Sequence, residues 1–408
     1  MQRNVTIFNM VGFILTLITI TSTSWASPII PIPNQPLQPM VTPASPNIDA
    51  KGYILIDANS GKVLAEKNPD MRMAPASLTK LMSLYIISGA LKSGSIHLDD
   101  KVRISTKAWR TGGSRMFVKV NDEVPAKDLI QGIAVASGND ASVAMAEYVA
   151  GTEEAFASMM NTQAKTLGMN SSHFMDSTGL PNPNHYSTPR DFATLARALT
   201  QVYPEDYKYF SEKWFTFNGI RQPNRNRLLW RYQYADGLKT GHTDDAGYCL
   251  VASAIKDKMR LISVIMGSPS DNARTEDSIR LLTYGFRFFE THKLYDGKKA
   301  LAEARVWKGD DKQISLGFED DWYATLPAGQ SKNMQHVIKL NEPIVAPIVK
   351  GQVCGSIDVV LNNQVVASKP LVALTNDPKG SIFRRAADAM SFRFYKIFAK
   401  SNDQVNNG

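Results

Sequence analysis

Three short motifs place nucleophilic, basic and amide side chains at spacings that suit acyl transfer. The first is Ser77-Leu78-Thr79-Lys80, in which the serine and the lysine would share one face of a helix. A partly desolvated lysine can take the proton of a serine hydroxyl, which is a poor nucleophile without a base. A helix that begins at about Ala76 would also point backbone N–H groups toward a developing oxyanion. Alone, this spacing recurs by chance in long proteins.

The second and third motifs are equally short. Ser137-Gly138-Asn139 follows an apolar segment and would present a hydroxyl and a carboxamide on a tight turn. By itself it also fits a helix that ends at a glycine. Lys239-Thr240-Gly241-His242-Thr243 lies at the end of a predicted strand, where the glycine lets a substrate backbone approach the strand edge. The order and contexts of the three motifs together make chance a poor explanation.

The hydrophobic patterns predict the elements that would position these motifs. Strands are predicted at 52–57, 62–66, 236–241, 247–254 and 260–266. Helical periodicity is found at 126–150, 153–167, 188–202 and 274–289. Strands that alternate with helices in this order predict an α/β (α+β) body. From about Leu294, short β-rich segments separated by turns predict a small all-β domain.

The two ends of the chain predict export and attachment to a membrane surface. Residues 1–26 join a basic start, an apolar stretch and small side chains at Ser24 and Ala26, which is typical of a signal peptide. An uncleaved membrane anchor is the alternative. Residues 27–47 are rich in proline and predict an extended linker. Residues 379–400 predict an amphipathic helix with basic side chains, which would bind the membrane interface or dock on the protein itself.

Composition excludes several other classes of protein. The net charge is +8, but residues 379–408 carry six basic against two acidic side chains, so a nucleic-acid-binding face is disfavoured. Cys249 and Cys354 fall in different predicted domains, and two buried free thiols are expected. Neither they nor the scattered histidines have metal-ligand spacing, so no metal or other cofactor is expected. Asp140, beside the second motif, is expected to have a structural role.

The three motifs together resemble those of the penicillin-recognising serine enzymes. Longer segments look like the low-molecular-weight D-alanyl-D-alanine carboxypeptidases, namely Arg221–Trp230, Asp236–Thr243 and Leu281–Glu290. The resemblance runs from about Ile48 to Lys400. It implies a β-lactamase/transpeptidase-like catalytic domain at 48–291, with a five-stranded antiparallel sheet flanked by helices. A β-rich domain at 292–376 and the amphipathic helix would follow.

The resemblance implies a role for each motif residue. Ser77 would be the acylated nucleophile, and Lys80 its general base. Ser137 would relay a proton between Lys80 and the leaving amine, while Asn139 would hold both Lys80 and the substrate's amide. The pKa of Lys80 is expected to be lowered by burial and by the neighbouring Lys239.

The resemblance also implies a set of substrate-binding residues. Lys239, Thr240 and Gly241 would bind substrate, and Lys239 would favour anions. His242 would lend its backbone N–H, with that of Ser77, to the oxyanion hole. Arg225 and Arg274 would lie near the terminal carboxylate of the substrate. Thr275 follows Arg274 where the family often has an acidic residue, so the resemblance leaves the orientation of this arginine open.

The implied reaction is removal of the terminal D-alanine from peptidoglycan pentapeptide stems, which would serve peptidoglycan biosynthesis and cell shape. β-Lactam antibiotics would acylate the same serine because they mimic the dipeptide. The implied location is the periplasm, at the outer face of the inner membrane, with the lipid surface as a partner. One alternative is a β-lactamase, although no E-x-x-L-N segment and hence no deacylating glutamate is found. The other is a non-catalytic peptidoglycan-binding scaffold.

Overall fold

The computed structural model describes residues 43–389 and Ser391. The predicted signal peptide, most of the predicted linker and the second half of the predicted C-terminal helix lie outside the described residues. The linker's last residues, from Pro43, lie against the body of the protein. Tyr284 donates a hydrogen bond to the carbonyl of Pro43 at 2.9 Å, and Ile48 is buried.

The predicted elements occur along the described chain in the predicted order, and further short helices and strands lie between them. The helices are α1 (Lys80–Ser93), α2 (Thr106–Arg110), α3 (Ala126–Gln131), α4 (Asn139–Ala150), α5 (Glu153–Thr166), α6 (Pro189–Val202), α7 (Pro204–Tyr207), α8 (Leu228–Arg231) and α9 (Asp271–Phe288). The strands are β1 (Gly52–Asp57), β2 (Val63–Lys67), β3 (Lys101–Arg103), β4 (Glu123–Pro125), β5 (Trp214–Phe217), β6 (Ile220–Pro223), β7 (Ala235–Thr243), β8 (Gly247–Lys256), β9 (Met259–Ser268), β10 (Phe289–Tyr295), β11 (Ala300–Trp307), β12 (Gln313–Gly317), β13 (Trp322–Pro327), β14 (Met334–Leu340), β15 (Ile344–Val345), β16 (Val353–Leu361) and β17 (Gln364–Ala373).

The central layer is a five-stranded antiparallel sheet in the order β2-β1-β9-β8-β7. Its side chains alternate between two cores, as the two-residue period of a strand requires. On β9, Ile262 and Val264 join the larger core with α1 and α4, whereas Leu261 and Ile265 pack on the side of α9. The sheet is therefore covered on both faces, and β7 forms one of its edges. The predicted fold class is confirmed.

Two predicted helices have different limits in the structure. The segment 126–150 is interrupted after a wide π turn at Gly132–Ala136, and α4 begins only at Asn139. The helix predicted at 274–289 begins earlier, at Asp271, because the side chain of Ser270 accepts a hydrogen bond from the N–H of Ala273.

The C-terminal part of the body is a separate β-rich domain with its own hydrophobic core. Its main sheet has six strands in the order β14-β16-β17-β12-β11-β15, and β10 pairs with β13 beside it. Threonines on this pair meet the first hairpin, β1 and β2, of the domain that contains the five-stranded sheet. Thr291 donates to the buried carboxylate of Asp57 at 2.8 Å, and Lys62 donates to the carbonyl of Thr325 at 3.0 Å.

The chain continues past the β-rich domain into a helix over residues 382–389. Its polar side chains touch the domain, since Asp388 accepts a hydrogen bond from the N–H of Lys308 at 2.7 Å and Arg384 donates to the carbonyl of Asp310. Ile382 and Phe383 are 78% and 89% exposed. Within the described residues, no helix is both long enough and apolar enough to span a membrane.

Candidate active site

Ser77 lies in a single 3-10 turn, Ala76–Thr79, that leads directly into α1. Its neighbours in the turn are buried, whereas Ser77 itself is partly exposed. A loop residue, Gly179, supports the turn from below. A Cβ atom at Gly179 would lie 1.8 Å from the carbonyl oxygen of Ala76, and its φ of +84° also favours glycine. The turn that carries Ser77 is thus held by α1, which follows it, and by the close approach of Gly179.

Lys80 begins α1 and is completely buried. Its amine donates hydrogen bonds to Oγ of Ser77 at 3.1 Å, to Oδ1 of Asn139 at 2.6 Å and to the carbonyl of Thr178 at 2.7 Å. All three hydrogens of the ammonium form therefore have acceptors. The structure brings together the serine and lysine of the first motif and the asparagine of the second.

Burial is the main cause that lowers the pKa of Lys80, to about 7. The carboxylates of Asp176 and Asp140 raise it in part, and the guanidinium of Arg225 lowers it further. The expectation from the sequence is correct for burial. The positive neighbour that lowers the pKa of Lys80 is Arg225, however, whereas the expected neighbour, Lys239, has its own pKa lowered by Lys80. Near neutral pH, a large share of Lys80 is neutral and can accept a proton.

The second motif lies between the π turn and α4. Ser137 adopts a left-handed conformation with φ of +60°, whereas Gly138 has φ of −60°. A helix that simply ends at a glycine would place the positive φ on Gly138, so that alternative is wrong. A wide turn and a strained serine are typical of functional sites. Asn139 is held from both ends, since its Nδ2 donates to the carbonyl of Gly112 at 2.6 Å.

The third motif runs along the edge strand β7, opposite the 3-10 turn. The amine of Lys239, which is 2% exposed, donates to Oγ of Ser137 at 2.9 Å and to the carbonyl of Thr240 at 3.1 Å. A Cβ atom at Gly241 would meet the carbonyl oxygen of Pro75 at 3.0 Å and the backbone nitrogen of Leu78 at 3.2 Å. Glycine is therefore needed here because β7 passes so close to the serine-bearing turn.

Burial lowers the pKa of Lys239 well below its usual value, and the charges of Lys80, Arg225 and Arg274 lower it further. Arg225 and Arg274 thus place two guanidiniums close to Lys239. Arg225 lies at the mouth of the cleft and donates from Nε to the carbonyl of Ala136 at 3.2 Å. The two arginines therefore add to the positive charge that would favour an anionic substrate.

These residues line one cleft of about 460 Å³. Its wall is formed by Ser77, Ser114, Ser137, Pro223, Asn224, Arg225, Arg227, Thr240, Gly241, His242, Tyr248, Asp271 and Arg274. The exposed ring of His242 lies against Tyr248 in a tilted arrangement, with ring centroids 4.0 Å apart. Every predicted site residue except Lys80, Asn139 and Lys239 lies in this wall. These three form hydrogen bonds with wall residues, Lys80 with Ser77, Lys239 with Ser137, and the backbone N–H of Asn139 with the carbonyl of Ser114.

Arg274 is oriented by Asp271, which lies one turn earlier on α9. One guanidinium nitrogen donates to the carboxylate of Asp271, and another donates to the carbonyls of Gly241 at 2.8 Å and Cys249 at 3.2 Å. Position 275 holds a threonine and not an acidic residue, and Asp271 provides the carboxylate partner of Arg274 instead. Its spacing of three residues from Arg274 is a signal that the sequence contains but that sequence analysis missed.

Comparison with known proteins agrees with this geometry. Residues 39–270 match the family described as D-alanyl-D-alanine carboxypeptidase. The chain belongs to this family. Residues 289–379 match the family described as penicillin-binding protein 5, C-terminal domain.

Individual relatives cover most of the chain. D-alanyl-D-alanine carboxypeptidase DacC of Escherichia coli is 45% identical over 88% of this chain and 91% of its own length. DacA of the same organism is 46% identical over 87% of this chain and 90% of its own. The crystal structure of penicillin binding protein 5 from Haemophilus influenzae covers 83% of this chain and 100% of its own, at 43% identity and a TM-score of 0.79. The predicted family and enzyme class, a serine-type carboxypeptidase and hydrolase, are confirmed.

A second cluster of polar side chains, formed by Thr79, Asp176, Thr178 and His185, lies next to Ser77 and Lys80. Asp176 accepts hydrogen bonds from Thr178 and Gly179, and its carboxylate lies 3.4 Å from Nδ1 of the buried His185. The other ring nitrogen of His185 lies 3.0 Å from Oγ1 of Thr79. Although burial opposes it, the hydrogen bonds from His185 and Thr178 lower the pKa of Asp176. The carboxylate of Asp176 in turn raises the pKa of Lys80 and so opposes part of the effect of burial.

Asp140, beside the second motif, holds a loop and has the structural role expected from the sequence. Asp140 accepts hydrogen bonds from the N–H groups of Met116, Phe117 and Val118, which fixes the cleft loop above Asn139.

Cys249 and Cys354 are free and buried. Among the residues that the structure describes, no group of three His, Cys, Asp or Glu side chains could hold a metal ion.

Proposed function

We propose that this protein removes the terminal D-alanine from peptidoglycan pentapeptide stems through an acyl-enzyme on Ser77. The observation that carries the proposal is the 3.1 Å hydrogen bond from the buried amine of Lys80 to Oγ of Ser77. Because the pKa of that amine is about 7, the neutral form is available to act as a base. The neighbouring motifs supply the other groups that the reaction needs.

Acylation begins when neutral Lys80 accepts the hydroxyl proton of Ser77. The serine oxygen forms a bond to the carbonyl carbon of the penultimate D-alanine, and negative charge develops on the carbonyl oxygen. The backbone N–H groups of Ser77 and His242 stabilise this oxyanion, since Gly241 allows β7 to approach the 3-10 turn. Asn139, held by Lys80 and Gly112, receives the substrate's amide group.

The C–N bond breaks when the leaving amine receives a proton from the hydroxyl of Ser137. Ser137 is replenished from protonated Lys80, and Lys239 orients the hydroxyl from the other side. D-Alanine departs, leaving an ester on Ser77. A water molecule then attacks the ester carbonyl while neutral Lys80 accepts its proton, and Ser77 leaves as a hydroxyl.

The free carboxylate of the terminal D-alanine distinguishes this substrate from an internal peptide bond. Arg274 and Arg225 line the same cleft as Ser77, and Thr240 lies beside them on β7. Two guanidiniums and a hydroxyl suit a carboxylate that ends the chain. β-Lactams, which carry a carboxylate at the corresponding place, acylate Ser77 for the same reason.

The test compares two reactions of the purified protein. We expect D-alanine release from a diacyl-Lys-D-Ala-D-Ala peptide at many turnovers, and slow, near-stoichiometric reaction with a chromogenic cephalosporin. Rapid multiple turnover of the cephalosporin without D-alanine release would support a β-lactamase instead. No reaction with either compound would support the non-catalytic scaffold.

The same proposal places the protein in the periplasm, bound peripherally to the outer face of the inner membrane. The predicted signal peptide supports export. At the start of the C-terminal helix, polar Arg384 and Asp388 touch the β-rich domain while apolar Ile382 and Phe383 are exposed. A helix docked on its own body would bury the apolar side chains, so this orientation supports a lipid-facing apolar side.

A further inference from the structure

Two tryptophans that are not part of the core lie side by side on the surface near the cleft. Trp214 is 45% exposed and Trp230 is 43% exposed, and their ring centroids are 6.1 Å apart in an edge-to-face arrangement. The guanidinium of Arg221 lies 4.1 Å from the centroid of Trp214, and the amine of Lys213 lies 6.0 Å from that of Trp230. We call these four residues the aromatic–basic patch.

The patch is displayed by the short hairpin of β5 and β6. Its register pairs Trp214 with Pro223 and Thr216 with Arg221, so Trp214 and Arg221 are diagonal neighbours on one face. The opposite face carries Phe215, which is buried at 6% exposure. The hairpin is therefore anchored by one face and presents the tryptophan and the arginine on the other.

The patch is continuous with the wall of the catalytic cleft. Pro223, the cross-strand partner of Trp214, lines the cleft, and so does Asn224. The N–H of Asn224 donates to the carbonyl of Lys213 at 2.9 Å. Trp230 lies on α8, and this helix begins directly after Arg227, which also lines the cleft. The two tryptophans therefore lie beside the part of the cleft wall that Pro223, Asn224 and Arg227 form.

The patch also carries positive charge that the protein does not neutralise. In the described part of the chain, neither Lys213 nor Arg221 forms an ion pair. The nearby acids have other partners, since Glu212 accepts from Gln131 at 3.0 Å and Asp271 binds Arg227 and Arg274. Exposed aromatic rings with unpaired cations favour a ligand that has apolar C–H faces and carboxylates.

We propose that the aromatic–basic patch binds a second segment of the peptidoglycan polymer, next to the stem that occupies the cleft. This inference rests on the proposed function. The C–H faces of a pyranose ring pack on indole rings, and carboxylates of a neighbouring stem pair with Lys213 and Arg221. Because both contacts belong to one polymer, the second binding event is intramolecular and strengthens the first. A short peptide cannot reach the patch.

The experiment measures co-sedimentation with purified insoluble peptidoglycan. The Ser77→Ala protein is used so that no substrate is consumed during the measurement. Trp214→Ala/Trp230→Ala in this background should weaken binding at least about fivefold. Lys213→Glu/Arg221→Glu, which keeps both tryptophans and so guards against misfolding, should do the same. Ile338→Ala, an exposed apolar residue on β14 of the second domain, is the control and should bind like the parent.

Kinetics of the active protein separate a binding role from a structural one. Both double variants should raise KM for polymeric peptidoglycan several-fold and leave kcat/KM for diacyl-Lys-D-Ala-D-Ala unchanged. Unaltered sedimentation, or an equal loss on both substrates, would overturn the proposal. So would binding to anionic phospholipid vesicles that depends on the patch, since the occupant would then be lipid. Failure of the proposed function is distinguishable, because the wild type would not release D-alanine from the short peptide, whatever Ser77→Ala binds.

Discussion

The amine of Lys239 lies 2.9 Å from the hydroxyl of Ser137, and each of the two side chains is 2% exposed. This hydrogen bond joins the second motif to the third across the cleft. On the other side, Lys80 reaches both Ser77 and Asn139. Each lysine thus holds one side of the place where the peptide bond must lie.

Lys239 and Ser137 should therefore act as a unit. Lys239→Met and Ser137→Ala are each expected to lower the rate of acylation by benzylpenicillin by about 10²–10⁴-fold, because each removes a step of proton transfer or its orientation. The double variant should be little slower than either single one, since coupled residues are not additive. Stopped-flow acylation rates would measure this. Fully additive losses would show that the two side chains act independently.

The pKa of Lys80 predicts the pH dependence of acylation. Burial lowers this pKa from 10.5 to about 7, and only the neutral amine can accept the proton of Ser77. The acylation rate constant should therefore rise as pH increases through about 7 and then level off. Lys80→Arg should not acylate, because a guanidinium keeps its proton. A rate that rises only near pH 10.5, the ordinary value for lysine, would refute a buried, pre-neutralised base.

Gly241 offers a steric test of the approach between β7 and the serine-bearing turn. Gly241→Ala would press a methyl group on the backbone of Pro75 and Leu78, at 3.0 Å and 3.2 Å. Overpacking of this kind costs about 1–3 kcal/mol, and a displaced oxyanion hole should slow acylation by roughly ten- to a hundredfold. Ile338→Ala, which changes an exposed side chain of the second domain, is the control. Equal rates for both variants would show that the close approach is unimportant.

The C-terminal helix predicts reversible attachment to an anionic membrane. Pro378 and Gly380 form backbone hydrogen bonds with Asp310 and Lys308, so the chain should be cut after Ser381 to leave the β-rich domain intact. The shortened protein should keep its melting temperature and its activity on a small peptide, but lose binding to anionic vesicles. Loss of folding would show instead that the helix stabilises the body. Vesicle binding that survives the cut would place the lipid contact elsewhere.

Much of the fold and site could be predicted from the sequence because the relevant signals are local. Several strands of the central sheet are short, nearly continuous apolar segments, as expected for strands buried on both faces. Each motif keeps its functional side chains within a few residues of one another. The contacts of Thr178 and Gly179 were missed because Thr178 contributes a backbone carbonyl to Lys80, 98 residues away in sequence, and Gly179 contributes only the lack of a side chain. Neither property has a side-chain signature.

The most direct test is to find which residue benzylpenicillin acylates and whether D-alanine release depends on that residue. The protein should be treated with benzylpenicillin, its intact mass measured, and the adduct located by peptide mapping, with D-alanine release assayed in parallel. The account predicts one adduct per chain, on Ser77, and predicts that Ser77→Ala neither forms it nor releases D-alanine. An adduct on another residue, or D-alanine release by folded Ser77→Ala, would contradict it.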